Sequence, residues 1–387
     1  MSHHSDDERF LQQALELAHT GVGLASPNPY VGAVITDARG NVVGTGTYTY
    51  SRVKHAEILA LEAAAEKARG GTLYINLEPH AHQGRTPPCT DALIQAGIRR
   101  VVACMTDPNP KVSGRGFNLL RDAGIQVEVG KFEDQARSLN EAFARYIRHG
   151  LPLVTLKSAM TLDGKIAPRG ADRGGAAAEN FAGTWITGEA ARAHVHELRQ
   201  QNDAILVGLG TILADNPLLT DRSGRPRRRP LLRVILDSHL RLPLESRLVR
   251  SVASRENDVI VFCSLVDAER KKNLERLGIR VEQVSREGTE HRPDLPAVLH
   301  RLGEMEITSL LIEGGATVNV AAIASDVVDK IILYYAPKIS GRIDAVPFMT
   351  CGGFGRAILP KRVNHLQLHR FGEDFAIEGY LRDPYGD

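Results

Sequence analysis

His55-Ala56-Glu57, followed by Leu77-Glu78-Pro79-His80-Ala81-His82-Gln83-Gly84-Arg85-Thr86-Pro87-Pro88-Cys89, decides what kind of fold this chain takes up. His55 to Arg69 carries a strong helical pattern that stops at Gly70-Gly71. Thr72 to Leu77 reads as a strand, and Cys89 to Ala96 as a helix entered through Pro87-Pro88. The chemistry-bearing residues thus sit where strands and helices meet, which predicts an α/β domain. His55, His80 and Cys89 are all ordinary zinc donors, and Glu57 supplies a carboxylate beside the first of them.

The same alternation extends outward. Asp6 to His19 reads as a helix with Phe10, Leu11, Ala14, Leu15 and Ala18 on one face. Val31 to Thr36 and Val42 to Thr47 read as strands joined by a hairpin at Asp37-Ala38-Arg39-Gly40-Asn41. Arg100 to Cys104, Phe117 to Ala123 and Ile125 to Val129 continue the pattern, and Glu133 to Arg148 closes it as a helix. His149-Gly150-Leu151-Pro152 is the domain boundary, dividing 1–149 from 150–387. Beyond it, strands are predicted at Leu153 to Lys157, Ala204 to Val207, Arg233 to Asp237, Val259 to Cys263, Ser309 to Glu313 and Lys330 to Tyr334. Helices at Glu189 to Arg199, Ala268 to Leu277, Leu295 to Leu302 and Thr317 to Ala324 intervene, so this sheet should be largely parallel. Pro168 to Gly183 reads as a flexible loop, and Gly224-Arg225-Pro226-Arg227-Arg228-Arg229-Pro230 as a solvated basic loop.

Bulk composition excludes several classes. The chain has 387 residues, 43% hydrophobic and 24% charged, an ordinary globular mixture. A net charge of +2 gives no field to gather nucleic acid or a membrane surface. The four cysteines, Cys89, Cys104, Cys263 and Cys351, are too scattered for a disulfide framework. The polar start, Met1 to Arg9, has no signal-peptide core, and no apolar run has the ~20 residues of a membrane span. A cytoplasmic protein is expected.

A His-x-Glu followed by Pro-Cys and a further donor is the pattern of zinc deaminases acting on nucleobases. Such an enzyme must make hydroxide at neutral pH, which zinc with three protein ligands and an open position does. A carboxylate must then carry the proton to the ring and the leaving amine. Cys89 begins a helix, whose positive end favours a thiolate. His80 stands where that pattern has a first cysteine; imidazole is also a zinc ligand, and its neutrality makes the site more positive. His82 is a second candidate donor, with a loop residue bonded to the backbone as its simpler reading.

With Ser26-Pro27-Asn28-Pro29, Val31-Gly32-Ala33-Val34, Gly84-Arg85-Thr86-Pro87-Pro88-Cys89, Asp107-Pro108-Asn109-Pro110 and Gly114-Arg115-Gly116 added, the chain resembles the bifunctional riboflavin-biosynthesis deaminase–reductase family. The resemblance covers nearly the whole length. It implies an N-terminal cytidine-deaminase-like three-layer domain and a C-terminal dihydrofolate-reductase-like domain. It implies about one zinc per chain, held by His55, His80 and Cys89, with Glu57 as proton shuttle and with Asn28 and Arg85 on the pyrimidine. Departures from the family are Tyr48 for a substrate-contacting His, Arg52 and Lys54 for Gly and Pro, His80 for Cys, and Gly183 for Ser.

The second half carries Lys157-Ser158-Ala159-Met160-Thr161-Leu162-Asp163-Gly164-Lys165, Trp185-Ile186-Thr187-Gly188, Gly208-Leu209-Gly210-Thr211, Asp215-Asn216-Pro217-Leu218-Leu219-Thr220-Asp221-Arg222 and Glu313-Gly314-Gly315-Ala316. Taken singly, glycine pairs at strand-to-helix turns are tight turns as readily as phosphate cradles, and no Gly-x-Gly-x-x-Gly is present to indicate a Rossmann domain. The resemblance implies NADPH on Ala159, Trp185, Thr211, Asp215 and Gly315-Ala316-Thr317, and substrate on Arg199, Leu219, Arg222 and Glu313. The two arginines suit a ribose phosphate. Lys157 and Asp215 are the candidate proton-handling groups at the carbon that receives the hydride. The implied substrate is a small phosphoribosyl pyrimidine, deaminated and then reduced, by a homo-oligomer without nucleic-acid or membrane partners. The alternative is a reductase only, with a structural first half.

Overall fold

A computed structural model describes residues 2–83, 87–167, 185–252, 258–287, 291–350 and 359–386. The chain forms two compact units, Met1–Gly150 with Pro226–Arg228, and Leu151–Arg225 with Arg229–Gly386. The expected flexible loop from Pro168, the Gly183 departure and Arg85 fall outside the described residues.

The first unit runs α1 (Ser2–Thr20), β1 (Gly32–Thr36), β2 (Val42–Thr47), α2 (Ala56–Ala64), β3 (Thr72–Leu77), α3 (Cys89–Gln95), β4 (Arg100–Met105), α4 (Arg115–Asp122), β5 (Gln126–Val129) and α5 (Glu133–His149). Its sheet has the order β2-β1-β3-β4-β5. β1 is antiparallel to both β2 and β3, while β3, β4 and β5 are parallel. The β1–β2 turn forms because the Asp37 carboxylate accepts from the Arg39 and Asn41 N–H groups.

Glycines set the layer spacing. A Cβ on Gly32 would lie 2.2 Å from the Ala14 carbonyl of α1. On Gly44 and Gly46 it would lie 2.1 Å from the carbonyls of Ala60 and Ala56 in α2. Gly32 pairs with Thr47 and Ala33 with Gly46, so Gly32 and Gly46 face opposite sides of the sheet. Helices α1 and α2 therefore cover opposite faces, which makes three layers. The helix expected to reach Arg69 stops at Ala64; Ala65 takes φ 48 and a 3-10 turn, Ala65–Ala68, leads to β3.

In the second unit the strands are β6 (Leu153–Thr161), β7 (Lys165–Ala167), β8 (Ala204–Gly208), β9 (Leu232–Leu236), β10 (Val259–Cys263), β11 (Arg280–Gln283), β12 (Arg286–Glu287), β13 (Arg292–Pro293), β14 (Ser309–Ile312), β15 (Lys330–Ala336), β16 (Val346–Pro347), β17 (Asn364–Phe371) and β18 (Asp374–Tyr380). Nine of them form one sheet, β11-β10-β9-β8-β14-β6-β15-β18-β17. Pairing is parallel from β11 to β15 and antiparallel through β18 and β17. The central strands β8, β10 and β14 are mainly apolar and buried because both faces are covered. Ala204, Leu206, Val234 and Phe262 pack on the helices Leu295–Glu304 and Ala316–Ala324. Ile205, Val207, Ile235 and Val261 pack the other way, on Ile212, Leu248 and Leu274.

The β17–β18 hairpin adds an edge to the expected sheet: Leu366 and Leu368 alternate with polar residues in β17 but face solvent. The basic stretch ending at Pro230 is not merely solvated, because Arg229 pairs with Asp203 at 3.1 Å and bonds the Met305 carbonyl.

Gly46→Ala places a methyl against the α2 backbone and is expected to cost about 1–3 kcal/mol of first-unit stability. A denaturant titration followed by tyrosine fluorescence reads this; an unchanged midpoint would show that α2 moves aside freely.

Candidate functional site

His55 is the residue that caps α2, Glu57 lies in its first turn, and Cys89 opens α3. His80 follows β3, so strand and helix ends bring the three donors together. Their ligand atoms lie within 4.8 Å of one another. His55 Nδ1 is 3.2 Å from Cys89 Sγ, and the His55 and His80 ring centroids are 4.9 Å apart. Cys89 is wholly buried and Glu57 nearly so.

The electrostatics describe a cation site. Burial pushes the Cys89 thiol far up, and the adjacent, hydrogen-bonded Glu57 carboxylate pushes it further. A buried thiol and carboxylate in contact ionise together only beside a positive charge. Burial, then the neighbouring His55 and His82 rings, push His80 down to about 4, leaving it neutral as a ligand must be. Its Nδ1 is buried without a hydrogen-bond partner among the described residues. These residues fit a zinc ion. The first N–H groups of α3, on Cys89 and Thr90, donate to the His80 carbonyl at 2.8 and 3.2 Å, tying the donor loop to that helix.

Asn28 and Tyr48 join the pocket wall. Asn28 Nδ2 donates to Tyr48 Oη at 2.6 Å, and the Tyr48 ring meets His55 edge-on at 5.7 Å. Arg52 and Lys54 are exposed, with Lys54 paired to Glu62, so these two departures lie on the surface. His82 has the His80 ring as a side-chain partner, their Nε2 atoms 3.3 Å apart, which replaces its expected backbone bond.

Sequence reasoning did not single out Glu78 as a clamp. Its buried carboxylate accepts from the N–H groups of Asp107 (3.0 Å), Gly114 (2.8 Å) and Gly116 (2.8 Å). A Cβ on Gly116 would sit 2.3 Å from the Pro79 carbonyl. The glycines at 114 and 116 were the available signal. Burial, with Glu78 nearby, raises Asp107 to about 6.

In the second unit Glu313 follows β14, at the carboxyl end of the parallel strands, where α/β sheets bind ligands. Its carboxylate takes Arg199 in a two-point bond, 2.7 and 3.0 Å, and Lys157 Nζ lies at 3.5 Å. Although burial alone would raise it, Lys157 and Arg199 hold Glu313 down to about 2. Burial, then the charges of Arg199 and Arg222, push His196 down. Lys157 and Ala159 lie on β6, facing Ile332 and Tyr334 of β15 in register.

The remaining residues are placed as follows. Gly315 starts the helix carrying Ala316 and Thr317, and a Cβ on Gly315 would be 3.9 Å from Thr211 Oγ1. Trp185 is exposed, with the Arg192 guanidinium 5.0 Å from its ring centroid. Asp215 ends the helix Leu209–Asp215, and Asn216 follows in the left-handed region. The Leu219 side chain packs in the core with Ile205 and Leu231, leaving its backbone, at φ 55, as the part that can meet a ligand.

Residues 4–105 match the cytidine and deoxycytidylate deaminase zinc-binding region, and residues 152–377 the RibD C-terminal domain. The class is therefore a zinc-dependent deaminase joined in one chain to a reductase. The Riboflavin biosynthesis protein RibD of Actinobacillus pleuropneumoniae is 40% identical over 98% of this chain and 96% of its own. The structure of the Thermotoga maritima diaminohydroxyphosphoribosylaminopyrimidine deaminase/5-amino-6-(5-phosphoribosylamino)uracil reductase is 35% identical, covers 98% of this chain and 99% of its own, and has a TM-score of 0.79. Acinetobacter baumannii RibD gives the same TM-score, 0.79, at 33% identity, over 97% of this chain and 99% of its own. The chain belongs to the RibD family of bifunctional riboflavin biosynthesis proteins.

Replacing Glu313 by Gln removes the carboxylate that Lys157 and Arg199 share, an expected loss of ~3–5 kcal/mol. The folded value of about 2 lies below the ordinary 4.5, so this stabilisation is complete above pH 4.5 and fades as pH falls towards 2. Denaturant midpoints of wild type and Glu313→Gln should therefore converge across that window; a constant gap would contradict the pairing.

Proposed function

We infer that the chain carries out two consecutive steps of riboflavin biosynthesis. The first is hydrolytic deamination of 2,5-diamino-6-(5-phosphoribosylamino)pyrimidin-4-one. The second is NADPH-dependent reduction of the ribosyl group to ribityl. The reading rests most directly on the buried, unpartnered His80 Nδ1 beside Cys89 and Glu57, in a chain whose relatives match end to end. A reductase with a merely structural first half is not favoured, since the zinc-binding region is present and its donors converge. In this reading deamination belongs to residues 1–149 and reduction to 150–387.

Zinc, when bound by His55, His80 and Cys89, supplies a Lewis acid that ionises water near neutral pH. Glu57 lies in the first turn of α2, just after the capping His55, and is buried against Cys89, suited to taking the proton from water and passing it to the ring nitrogen and the leaving amine. Asn28, held by Tyr48, orients the pyrimidine, and Arg85 is assigned there by family resemblance. Burial of Cys89 and Glu57 keeps bulk water out of the exchange.

For the second step NADPH supplies the hydride. Ala159, Trp185, Thr211, Asp215, Gly315, Ala316 and Thr317 are the residues proposed to hold it. Arg199 and Arg222 offer guanidinium donors to the ribose phosphate, with Glu313 fixing Arg199 from behind. Lys157, on the same carboxylate, delivers the proton at the reacting ribosyl group, with Asp215 as the second proton-handling group.

The buried free thiols Cys89, Cys104 and Cys263 fit a reducing compartment such as the cytoplasm. No helix among the described residues is long and apolar enough to cross a membrane. The homo-oligomer proposed from the resemblance would be read by light scattering.

Ammonia release from the diaminopyrimidine with NADPH withheld tests the first activity. Glu57→Gln should lower it at least ~100-fold at unchanged zinc content; undiminished release would remove Glu57 from the proton path. Asp215→Asn should slow NADPH oxidation by a factor on the order of 100 while leaving ammonia release intact. Full retained oxidation would take Asp215 out of the second step.

A further inference from the structure

We propose that His82 is a positioning residue that aims the His80 ring at the metal, an inference that rests on the reading of His55, His80 and Cys89 as ligands. A thiolate presents one atom and has no ring to orient. An imidazole in its place must direct one nitrogen's lone pair at the ion and park the proton of the other nitrogen. The structure holds both halves of that arrangement. His80 Nδ1 is buried without a hydrogen-bond partner among the described residues. Its Nε2 lies 3.3 Å from His82 Nε2, with ring centroids 4.1 Å apart at 61°. With Nδ1 kept for the metal, the His80 proton sits on Nε2 and is donated to the lone pair of His82 Nε2. His82 then carries its own proton on Nδ1, at an exposed position in contact with water.

His82 itself stands outside the donor cluster, which comprises His55, His80 and Cys89. Its place is behind His80. Chain geometry also favours the pairing, since the loop is pinned immediately upstream of His82 by the Cys89 and Thr90 N–H groups on the His80 carbonyl. The pair thus reads as one unit: a ring that replaces a thiolate, and a second ring that fixes it.

Zinc affinity, measured on the full chain by competition with a chromogenic chelator at fixed pH, tests this directly. His82→Ala should weaken zinc binding by about 10–100-fold. Cobalt substituted into that variant should keep its thiolate charge-transfer band and tetrahedral visible bands, because no ligand has been lost. His82→Gln, whose amide oxygen can still accept from His80 Nε2, should recover most of the affinity. Unchanged affinity in His82→Ala overturns the proposal, as does a His82→Ala cobalt spectrum that has lost a nitrogen ligand, which would make His82 a ligand. His80→Ala separates the premise from the inference. If it binds zinc as tightly as wild type, the ligand assignment fails whatever His82 does. Circular dichroism of each variant confirms that the fold is retained.

Discussion

No side chain separates α2 from β2. Gly44 and Gly46 bring the strand backbone against the carbonyls of Ala60 and Ala56, and the position of α2 follows from that contact. His55 and Glu57 sit at the end of this helix, so a shift in its seating would carry both side chains away together. The opposite wall is fixed by a different device. Glu78 gathers the backbone of the 107–117 loop onto one buried carboxylate, and Pro79, next to it, touches Gly116. Close approach of backbones thus does for this pocket what long side chains do elsewhere, and it leaves little slack for adjustment.

Buried charge is paired at three places. Asp7 meets Arg100 in a two-point bond and also accepts from the Tyr74 hydroxyl, and Arg233 meets Asp258 wholly inside the second unit. Arg233 and Asp258 are one to one, whereas Arg100 also bonds Glu128 at 2.7 Å. At Glu313 one carboxylate serves both Lys157 and Arg199, and Asp221 also acts on Arg199. One carboxylate shared by two cationic side chains fixes both of them at the carboxyl end of the parallel strands.

The sequence was most informative where periodicity and burial agree. Thr72–Leu77 and Val259–Cys263 are apolar runs between breakers, and the strands occupy those spans. It was least informative where backbone conformation departs from its composition. Ala65 adopts a positive φ in a helical-looking alanine-rich segment, and β17 lies exposed at a sheet edge with polar residues on view. Strand β6 runs beyond Lys157 to Thr161 because β15 pairs with it that far. The zinc donors could be read from local motifs because each stands at an element end. The Glu78 clamp could not, because a carboxylate bonding amides distant in sequence leaves only the glycines as a trace.

His80 also changes how the site meets oxidants. Two neighbouring cysteine ligands stripped of their metal would be free to close into a disulfide, which blocks the site until a thiol reduces it. Here Cys89 faces imidazoles, so the donor cluster has no second sulfur to capture it. Oxidation must instead begin at a single thiol that is wholly enclosed and held protonated by its surroundings, a poor nucleophile towards peroxide. Exchanging sulfur for nitrogen at one position thus leaves a metal-free first unit that can wait for zinc without being locked shut.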